Sequence, residues 1–392
     1  MAEVEPEYSP SAGWYELPED TREEILALLP LECLCRSRSV CKDWNALFSS
    51  TKFITSRWAE APPNKKPWLF LCKLNSQMGD CSMVSSAYCF FTRTWKTGIS
   101  LSFISERDEK VKYRAYYSGS SQGLFLVDIP DGRYTVCNPL NQTFLKLPPM
   151  SSIKLLLTKG IVAWKVGNQE TYKVVAVGLS RRSDVMIVEI YDSSEKSWAI
   201  AGHLPENLEK FGLSRGIVFC DGFFYCITLN RAAGMGVLGF SIREEGTSIF
   251  TPLPELANGY TMWAKLLTCG SRILLSGGVG QKRGSSLYTL KKIIELILWE
   301  FQKDSNSSCW KEIARMPPSL REVFQRNSYF DSFECVGVGD CMCFTSGRCM
   351  DVAVYNLSEE TWSWLPTPTS IDRGYGHPLV MVFKPRPDMK VG

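Results

Sequence analysis

The sequence predicts a mainly β protein: a β-propeller of about six blades, preceded by a small module of three helices. Three observations predict this fold. An aromatic residue recurs about every 50 residues, short strand-like runs separated by turn residues fill the intervals, and only the first 60 residues have helical periodicity.

The repeat is carried by aromatic anchors spaced 49, 54, 52, 60 and 52 residues apart. The six anchors are Trp95, Phe144, Trp198, Phe250, Trp310 and Trp362. Five are followed by a proline turn, at Pro148, Pro205, Pro254, Pro317 and Pro366. Such a period is typical of kelch-like propellers. Because one small twisted sheet cannot bury both of its faces, blades stack around an axis, and we expect the anchors to pack between them.

The strand-like runs extend over residues 68–384 and alternate with Gly, Asn, Asp, Ser and Pro turns, with no long helix expected among them. A ring of blades needs closure, which removes the exposed sheet edges. We therefore expect a strand at 376–384 to pair with the early strand at 68–73.

The N-terminal module has helical periodicity from Leu17 to about Trp58. Pro18 stands where the first helix begins, acidic residues crowd its first turn, and Pro30 ends it. A second helix is expected over 31–36 and a third over 39–48, with Val40 and Trp44 on its apolar stripe. Three short helices bury little surface, which predicts a docking element.

The predicted organisation has a disordered N-terminus (1–12), the helical module (13–60), a Pro-rich linker (61–67), the propeller (68–384) and a tail (385–392). Residues 1–60 carry 11 acidic and 6 basic side chains, a net −5, so the total of +3 leaves +8 for the remainder. That charge favours acidic partners but is too small to predict nucleic-acid binding. Arg181-Arg182 and Lys282-Arg283 are expected in loops, either as solvated charges or as contacts for an acidic partner.

The N-terminal residues are acidic and polar, unlike a signal peptide, and no apolar run approaches the ~20 residues of a membrane span. The 15 Cys are odd in number and follow no regular spacing. We therefore expect free thiols in a protein of the cytoplasm, the nucleus or both, with no membrane association.

Catalytic chemistry is not expected. The only histidines, His203 and His377, sit in turn-like contexts without a nucleophile motif. The glycine run at 276–280 lacks the features of a phosphate-binding loop and is interpreted as an ordinary loop. The cysteines outside the helical module considered as metal ligands are Cys335, Cys341, Cys343 and Cys349. Cys341 and Cys343 alternate with Met342 and Phe344, which indicates buried thiols on one face of a strand. Cys33 and Cys35, in the second helix, are also expected to be buried thiols, so neither metal nor cofactor is expected.

Residues 14–58 carry a specific set of motifs: Leu17-Pro18, Leu29-Pro30, the run RSVCKDW at 38–44, and STKF at 50–53. In these residues and their spacing the module strongly resembles the F-box. The later part, with MPP at 316–318 and ETWSWLP at 360–366, looks like the kelch-type associated domain of plant F-box proteins.

The resemblance implies a non-catalytic substrate receptor of an SCF-type ubiquitin ligase. The F-box would bind a Skp-type adaptor, and through it a cullin, while the propeller binds an unidentified target protein. The residues that match family positions for the module core and adaptor face are Leu17, Pro18, Ile25, Leu26, Leu29, Pro30, Leu34, Val40, Cys41 and Trp44. The alternatives are an F-box scaffold acting outside the ligase and a propeller enzyme.

Overall fold

The computed structural model describes two compact units, one drawn from residues 1–66 and 385–388 and the other from 67–384 and 389–392. The described residues are 12–61, 66–75, 82–97, 116–128, 133–166, 169–208, 216–241, 248–254, 260–280, 293–303, 308–326, 333–346, 349–368, 379–387, 389 and 391. Most of the predicted disordered segment 1–12 therefore lies outside the described residues, as do most of the predicted linker, His377 and Lys282-Arg283, whereas Ala12 is described and is helical.

The N-terminal unit is helical. Its elements are α1 (Ala12–Tyr15), α2 (Glu19–Ala27), α3 (Leu31–Ser37), α4 (Lys42–Ser49), α5 (Thr51–Phe53) and a π-helical turn (Ile54–Trp58). Pro18 and Pro30 have extended backbones immediately before α2 and α3, so each proline stands where a helix begins.

The third predicted helix begins three residues later than expected. Cys41 is extended, with φ −155° and ψ 168°, and its Sγ accepts a hydrogen bond from the backbone N–H of Trp44 at 3.4 Å. The side chain therefore caps α4 and starts the helix at Lys42. As a consequence, Val40 lies in the turn before α4 and not on the apolar stripe of that helix.

The second unit contains six four-stranded antiparallel sheets in its described residues, which confirms the predicted propeller. Blade 1 has β1 (Trp68–Asn75), β2 (Ser82–Cys89), β3 (Thr94–Thr97) and the last strand β24 (Leu379–Phe383). Blade 2 has β4 (Tyr116–Ser121), β5 (Leu124–Asp128), β6 (Tyr134–Asn138) and β7 (Thr143–Lys146). Blade 3 has β8 (Ile153–Val166), β9 (Gln169–Ser180), β10 (Met186–Asp192) and β11 (Ser197–His203).

The remaining blades follow the same order. Blade 4 has β12 (Val218–Cys220), β13 (Phe223–Asn230), β14 (Gly234–Ser241) and β15 (Ser248–Pro252). Blade 5 has β16 (Tyr260–Cys269), β17 (Arg272–Gly280), β18 (Ile293–Lys303) and β19 (Ser308–Arg315). Blade 6 has β20 (Phe333–Val338), β21 (Cys341–Ser346), β22 (Cys349–Asn356) and β23 (Thr361–Trp364).

The ring closes as predicted. Strand β24 pairs antiparallel with β1, from Trp68 opposite Phe383 to Cys72 opposite Leu379. The first and last segments of the propeller therefore share one sheet. Beyond β24, Met389 and Val391 are buried against blade 2 and blade 3 side chains. The carbonyl oxygen of Met389 accepts hydrogen bonds from the side-chain amides of Asn138 and Asn141, both at 2.8 Å. Part of the predicted tail thus belongs to the propeller.

Each of the six aromatic anchors lies on the fourth, outermost strand of its blade and is half-buried. Five of them pack against buried clusters between neighbouring blades: Trp95, Trp198, Phe250, Trp310 and Trp362. Three indoles also donate their Nε1–H to the end of the preceding blade. Trp95 bonds the carbonyl oxygen of Pro366, Trp198 that of Pro148, and Trp310 that of Pro252.

One expectation about local structure was wrong, and one short helix was not predicted. The glycine run at 276–280 is not a loop but the end of β17, where Gly277 pairs with Ala264 and Gly278 with Trp263. A strand enclosed between two others accepts glycine where neighbouring chains pack closely. A helix, α6 (Pro318–Arg326), also interrupts the strands, between blades 5 and 6. Pro318 at its first position and buried Leu320 were the available signals.

Candidate functional site

The helical unit has a core built from side chains of each helix beyond α1. The buried large side chains are Leu26, Leu31, Leu34, Phe48, Phe53, Ile54 and Trp58. Trp58 is fully buried, and its Nε1–H donates to the carbonyl oxygen of Leu29 at 2.8 Å. This bond holds the π-helical turn against the turn that follows α2, and it gives the Leu29 carbonyl a hydrogen-bond donor. Trp58 was not among the ten predicted residues, although an aromatic residue at the end of the module was a usable signal.

A row of aromatic rings links α1 to α5 through α4. The ring centroids of Trp14 and Trp44 are 5.8 Å apart, those of Trp44 and Phe48 5.9 Å, and those of Phe48 and Phe53 5.6 Å. These tilted and edge contacts fall in the favourable range for aromatic pairs. Trp44, predicted from the family pattern, is therefore half-buried as a packing residue.

The ten residues predicted for the module core and the adaptor face differ in their exposure to solvent. Leu26 and Leu34 point into the core, while Leu17, Leu29, Pro30 and Trp44 are half-buried. Pro18, Ile25, Val40 and Cys41 are exposed. A single sequence could not divide them, because burial depends on how the short helices cross.

Among the described residues of the unit, three large apolar side chains are exposed to solvent: Ile25 by 43%, Leu28 by 53% and Val40 by 64%. Ile25 and Leu28 are three residues apart, so they are neighbours on the surface of α2. Leu28 was not among the ten residues, although its spacing from Ile25 was visible in the sequence. We define Ile25, Leu28 and Val40 as the helical apolar set.

Arg57 contacts three carboxylates in the first two turns of α2. Its guanidinium lies 2.7 Å from Asp20, 3.5 Å from Glu23 and 3.3 Å from Glu24. The arginine thus joins the π-helical turn to the N-terminus of α2 with charge-assisted contacts. The sequence explained these carboxylates only by the helix dipole, because Arg57 lies more than 30 residues away along the chain.

The residues considered for chemistry do not assemble a reactive site within the described part of the propeller. His203 is exposed at the end of β11. Cys335 and Cys343 are buried, and burial raises the pKa of Cys335 to about 12 and that of Cys343 well above its usual value. Both are therefore neutral thiols near neutral pH. Cys341 is half-buried, and the side chain of Cys349 lies outside the description. The prediction of buried thiols was wrong for Cys33 and Cys35, which are exposed on α3.

No cluster of three or more metal-ligating side chains occurs among the described residues. Likewise, no helix in the described ranges has the length and apolar character to cross a membrane.

The propeller presents one end with long connections. Because the sheets are antiparallel, the hairpin after the second strand of a blade lies at the same end of the propeller as the links between blades. We call this the connection end. Arg181 and Arg182 lie there, exposed, in the hairpin between β9 and β10. Loops on a rigid scaffold are the usual place for recognition in such folds.

Comparison with protein families identifies both units. Residues 14–56 match the F-box domain, and residues 100–364, more than half of the chain, match the KIB1-4 β-propeller. The fold and these matches define an F-box protein with a C-terminal propeller domain. By the longer match, the chain belongs to the KIB1-4 β-propeller family.

Several curated plant proteins are similar to this chain. F-box only protein 6 of Arabidopsis thaliana is 26% identical over 90% of this chain and 69% of its own length. Protein UNUSUAL FLORAL ORGANS of the same plant is 26% identical over 90% of this chain and 78% of its length. An F-box/kelch-repeat protein of Arabidopsis is 28% identical over 56% of this chain and 59% of its length. The predicted relation to plant F-box/kelch-repeat proteins is confirmed.

Proposed function

We propose that this protein is the substrate-recognition subunit of an SCF-type ubiquitin ligase. The F-box docks a Skp-type adaptor and, through it, a cullin, while the propeller holds a target protein. The chain supplies no catalytic group of its own. It acts by proximity, because a tethered target meets the conjugating enzyme at a high effective concentration. We place this activity in the cytoplasm, the nucleus or both.

The observation that carries the proposal is the helical apolar set on a unit that matches the F-box. The side chains of Ile25, Leu28 and Val40 are large, apolar and exposed to water, on a unit of only about 50 residues. A partner that covers such side chains removes apolar surface from water, and this drives association. The hydrogen bond of the buried Trp58 and the ion pairs of Arg57 hold α2 in place, so its exposed side chains lie on a rigid helix.

The test is a quantitative pull-down of a purified plant Skp-type adaptor, with and without cullin, by the full chain. The double variant I25S/L28S should lose at least about tenfold in adaptor affinity, because central apolar contacts dominate such interfaces. A matched control is F91S/I200S, which changes two comparably exposed apolar residues of the propeller and should leave adaptor affinity unchanged.

Circular dichroism of both variants checks the fold. Equal adaptor capture by wild type and I25S/L28S would refute docking through α2. Capture of the adaptor without cullin would instead identify a scaffold that acts outside the ligase.

A further inference from the structure

The connection end of blades 3 and 4 carries basic and apolar side chains side by side. Arg181 and Arg182 lie in the hairpin between β9 and β10, and Arg231 lies in the hairpin between β13 and β14. All three arginines are exposed. Close to them are two large apolar residues exposed by about two-fifths, Leu155 at 42% and Met235 at 43%. We call these five residues the blade 3–4 patch.

The backbone that carries Arg181 and Arg182 is held firmly. The N–H of Arg181 donates to the carbonyl oxygen of Ser152 at 2.7 Å, and the N–H of Arg182 to Oγ of Ser180 at 3.1 Å. The N–H groups of Ser151 and Ser152 in turn donate to Oε1 of the fully buried Glu189. The loop backbone is therefore ordered, and binding would cost little backbone entropy.

The two arginine hairpins are joined by the link between blades 3 and 4. The N–H of Leu204 donates to the carbonyl oxygen of Met186, just after the first hairpin, at 2.9 Å. The N–H of Arg231 donates to the carbonyl oxygen of Asn207, also at 2.9 Å. Leu204 and Leu208 are buried in one cluster with Met186. Residues 204–208 thus tie both hairpins to one scaffold.

The charges around the patch do not cancel. Segments 151–156, 179–187, 203–208 and 229–236 contain the charged residues Lys154, Arg181, Arg182, Asp184, Glu206 and Arg231. Four are basic and two acidic, and Lys154 and Asp184 neutralise each other in an ion pair of 2.7 Å. Three arginines and one glutamate remain, a net of +2. Within the described structure, none of the three arginines has an ion-pair partner.

The apolar pair adjoins the arginines through strand register. Leu155 lies opposite Leu179, two residues before Arg181. Met235 lies opposite Leu229, two residues before Arg231. Each exposed apolar residue therefore lies opposite a position two residues before an exposed arginine, at the same end of its blade, which gives the patch a mixed character.

We infer that the blade 3–4 patch docks an acidic segment of the target protein, with an apolar side chain among its carboxylates. Guanidinium groups bind carboxylates through paired hydrogen bonds, and Leu155 with Met235 would cover the apolar residue. Nucleic acid fits less well, since the patch has no aromatic residue for base stacking and only three unpaired cations. This inference rests on the proposed function, because it describes how the propeller recognises its target.

The test begins with selection of short random peptides displayed on phage against the immobilised full chain. Recovered peptides are synthesised, and their affinity is measured by fluorescence anisotropy, with duplex DNA as a second probe. We expect peptides rich in Asp and Glu around a Leu, Met or Phe. The variant R181E/R182E/R231E should bind them at least about tenfold more weakly, as should L155S/M235S by a smaller factor. Added salt should weaken binding.

The matched control is R93E/K196E/K311E, which reverses three exposed basic residues outside the patch and should leave peptide affinity unchanged. Four results would overturn the inference: no enriched peptide, enrichment without acidic residues, equal loss in the control, or tighter binding of duplex DNA that depends on the patch. Adaptor capture by the same variants separates this inference from the proposed function. Both triple variants should retain the adaptor, whereas failure of wild type to bind it would refute the proposed function.

Discussion

The indole Nε1–H of Trp198, on the outer strand of blade 3, donates to the carbonyl oxygen of Pro148 at the end of blade 2, at 2.8 Å. The same bond joins Trp310 to Pro252 and Trp95 to Pro366. The latter contact links blade 1 to blade 6, across the join of the ring. The repeated aromatic residue therefore has two roles: its ring packs between blades, and its N–H ties the edge of one blade to the next.

We predict that Trp198→Ala lowers the free energy of unfolding of the full chain by roughly 2–3 kcal/mol, below the usual cost for a fully buried tryptophan because the ring is half-buried. Trp198→Phe keeps an aromatic ring in the packing but loses the hydrogen bond and part of the packed ring area, so about 1–2 kcal/mol should be lost. Urea unfolding monitored by circular dichroism measures both.

The neighbouring exposed residue provides the control for Trp198. Ile200→Ala, on the same strand, should change stability by no more than about 0.5 kcal/mol. If Trp198→Ala behaved like Ile200→Ala, the anchor would carry no packing energy.

A second prediction concerns the end of the chain. Removal of Met389–Gly392 should destabilise the propeller by roughly 3 kcal/mol, because it exposes the apolar contacts of Met389 and Val391 and leaves two side-chain amides without their acceptor. Thermal unfolding of the full chain and the truncated chain measures the loss.

Alanine at Asn141 gives a graded comparison for the truncation, since it removes one of the two amide donors and the acceptor for the N–H and hydroxyl of Thr143, but no apolar contact. It should cost about 1 kcal/mol. Equal stability of the truncated chain and wild type would show that the tail is dispensable for the ring.

The third prediction is a loss of stability in alkali. Burial raises the pKa of Cys72, Cys226 and Cys335 from 9.0 to about 12. In the unfolded chain these thiols release protons near their ordinary pKa, while the folded chain keeps them protonated. The contribution of each buried thiol to the free energy of unfolding is therefore fully present below pH 9. It falls as the pH rises from 9 towards 12, by up to about 1.4 kcal/mol per pH unit for each thiol.

Urea unfolding at a series of pH values should give a shallower decline for Cys226→Ala than for wild type. Cys309→Ala is the control, since Cys309 is exposed and its removal should leave the slope unchanged. An identical slope for all three proteins would contradict a contribution from Cys226.

Some features could be predicted only in part. The closing strand was found from the need to pair the ends of the ring, and the structure places Leu379–Phe383 beside β1. The glycine run at 276–280 was misjudged, because glycine favours loops locally and only the flanking strands show that it lies in a sheet. Helix α6 was missed because nine residues give few turns of periodic signal.

By itself, the sequence determined the two-part organisation, the helical and strand periods, the aromatic repeat and the F-box motifs, since each is a local pattern of residue types. Only the tertiary structure decided which motif residues face solvent, such as Ile25 in contrast to Leu26. The tertiary structure also decided which carboxylates Arg57 contacts. It further placed the hairpins of Arg181 and Arg231 against the same link between blades 3 and 4. These depend on contacts between segments far apart in the chain, and their geometry arises only when the helices cross and the blades pack.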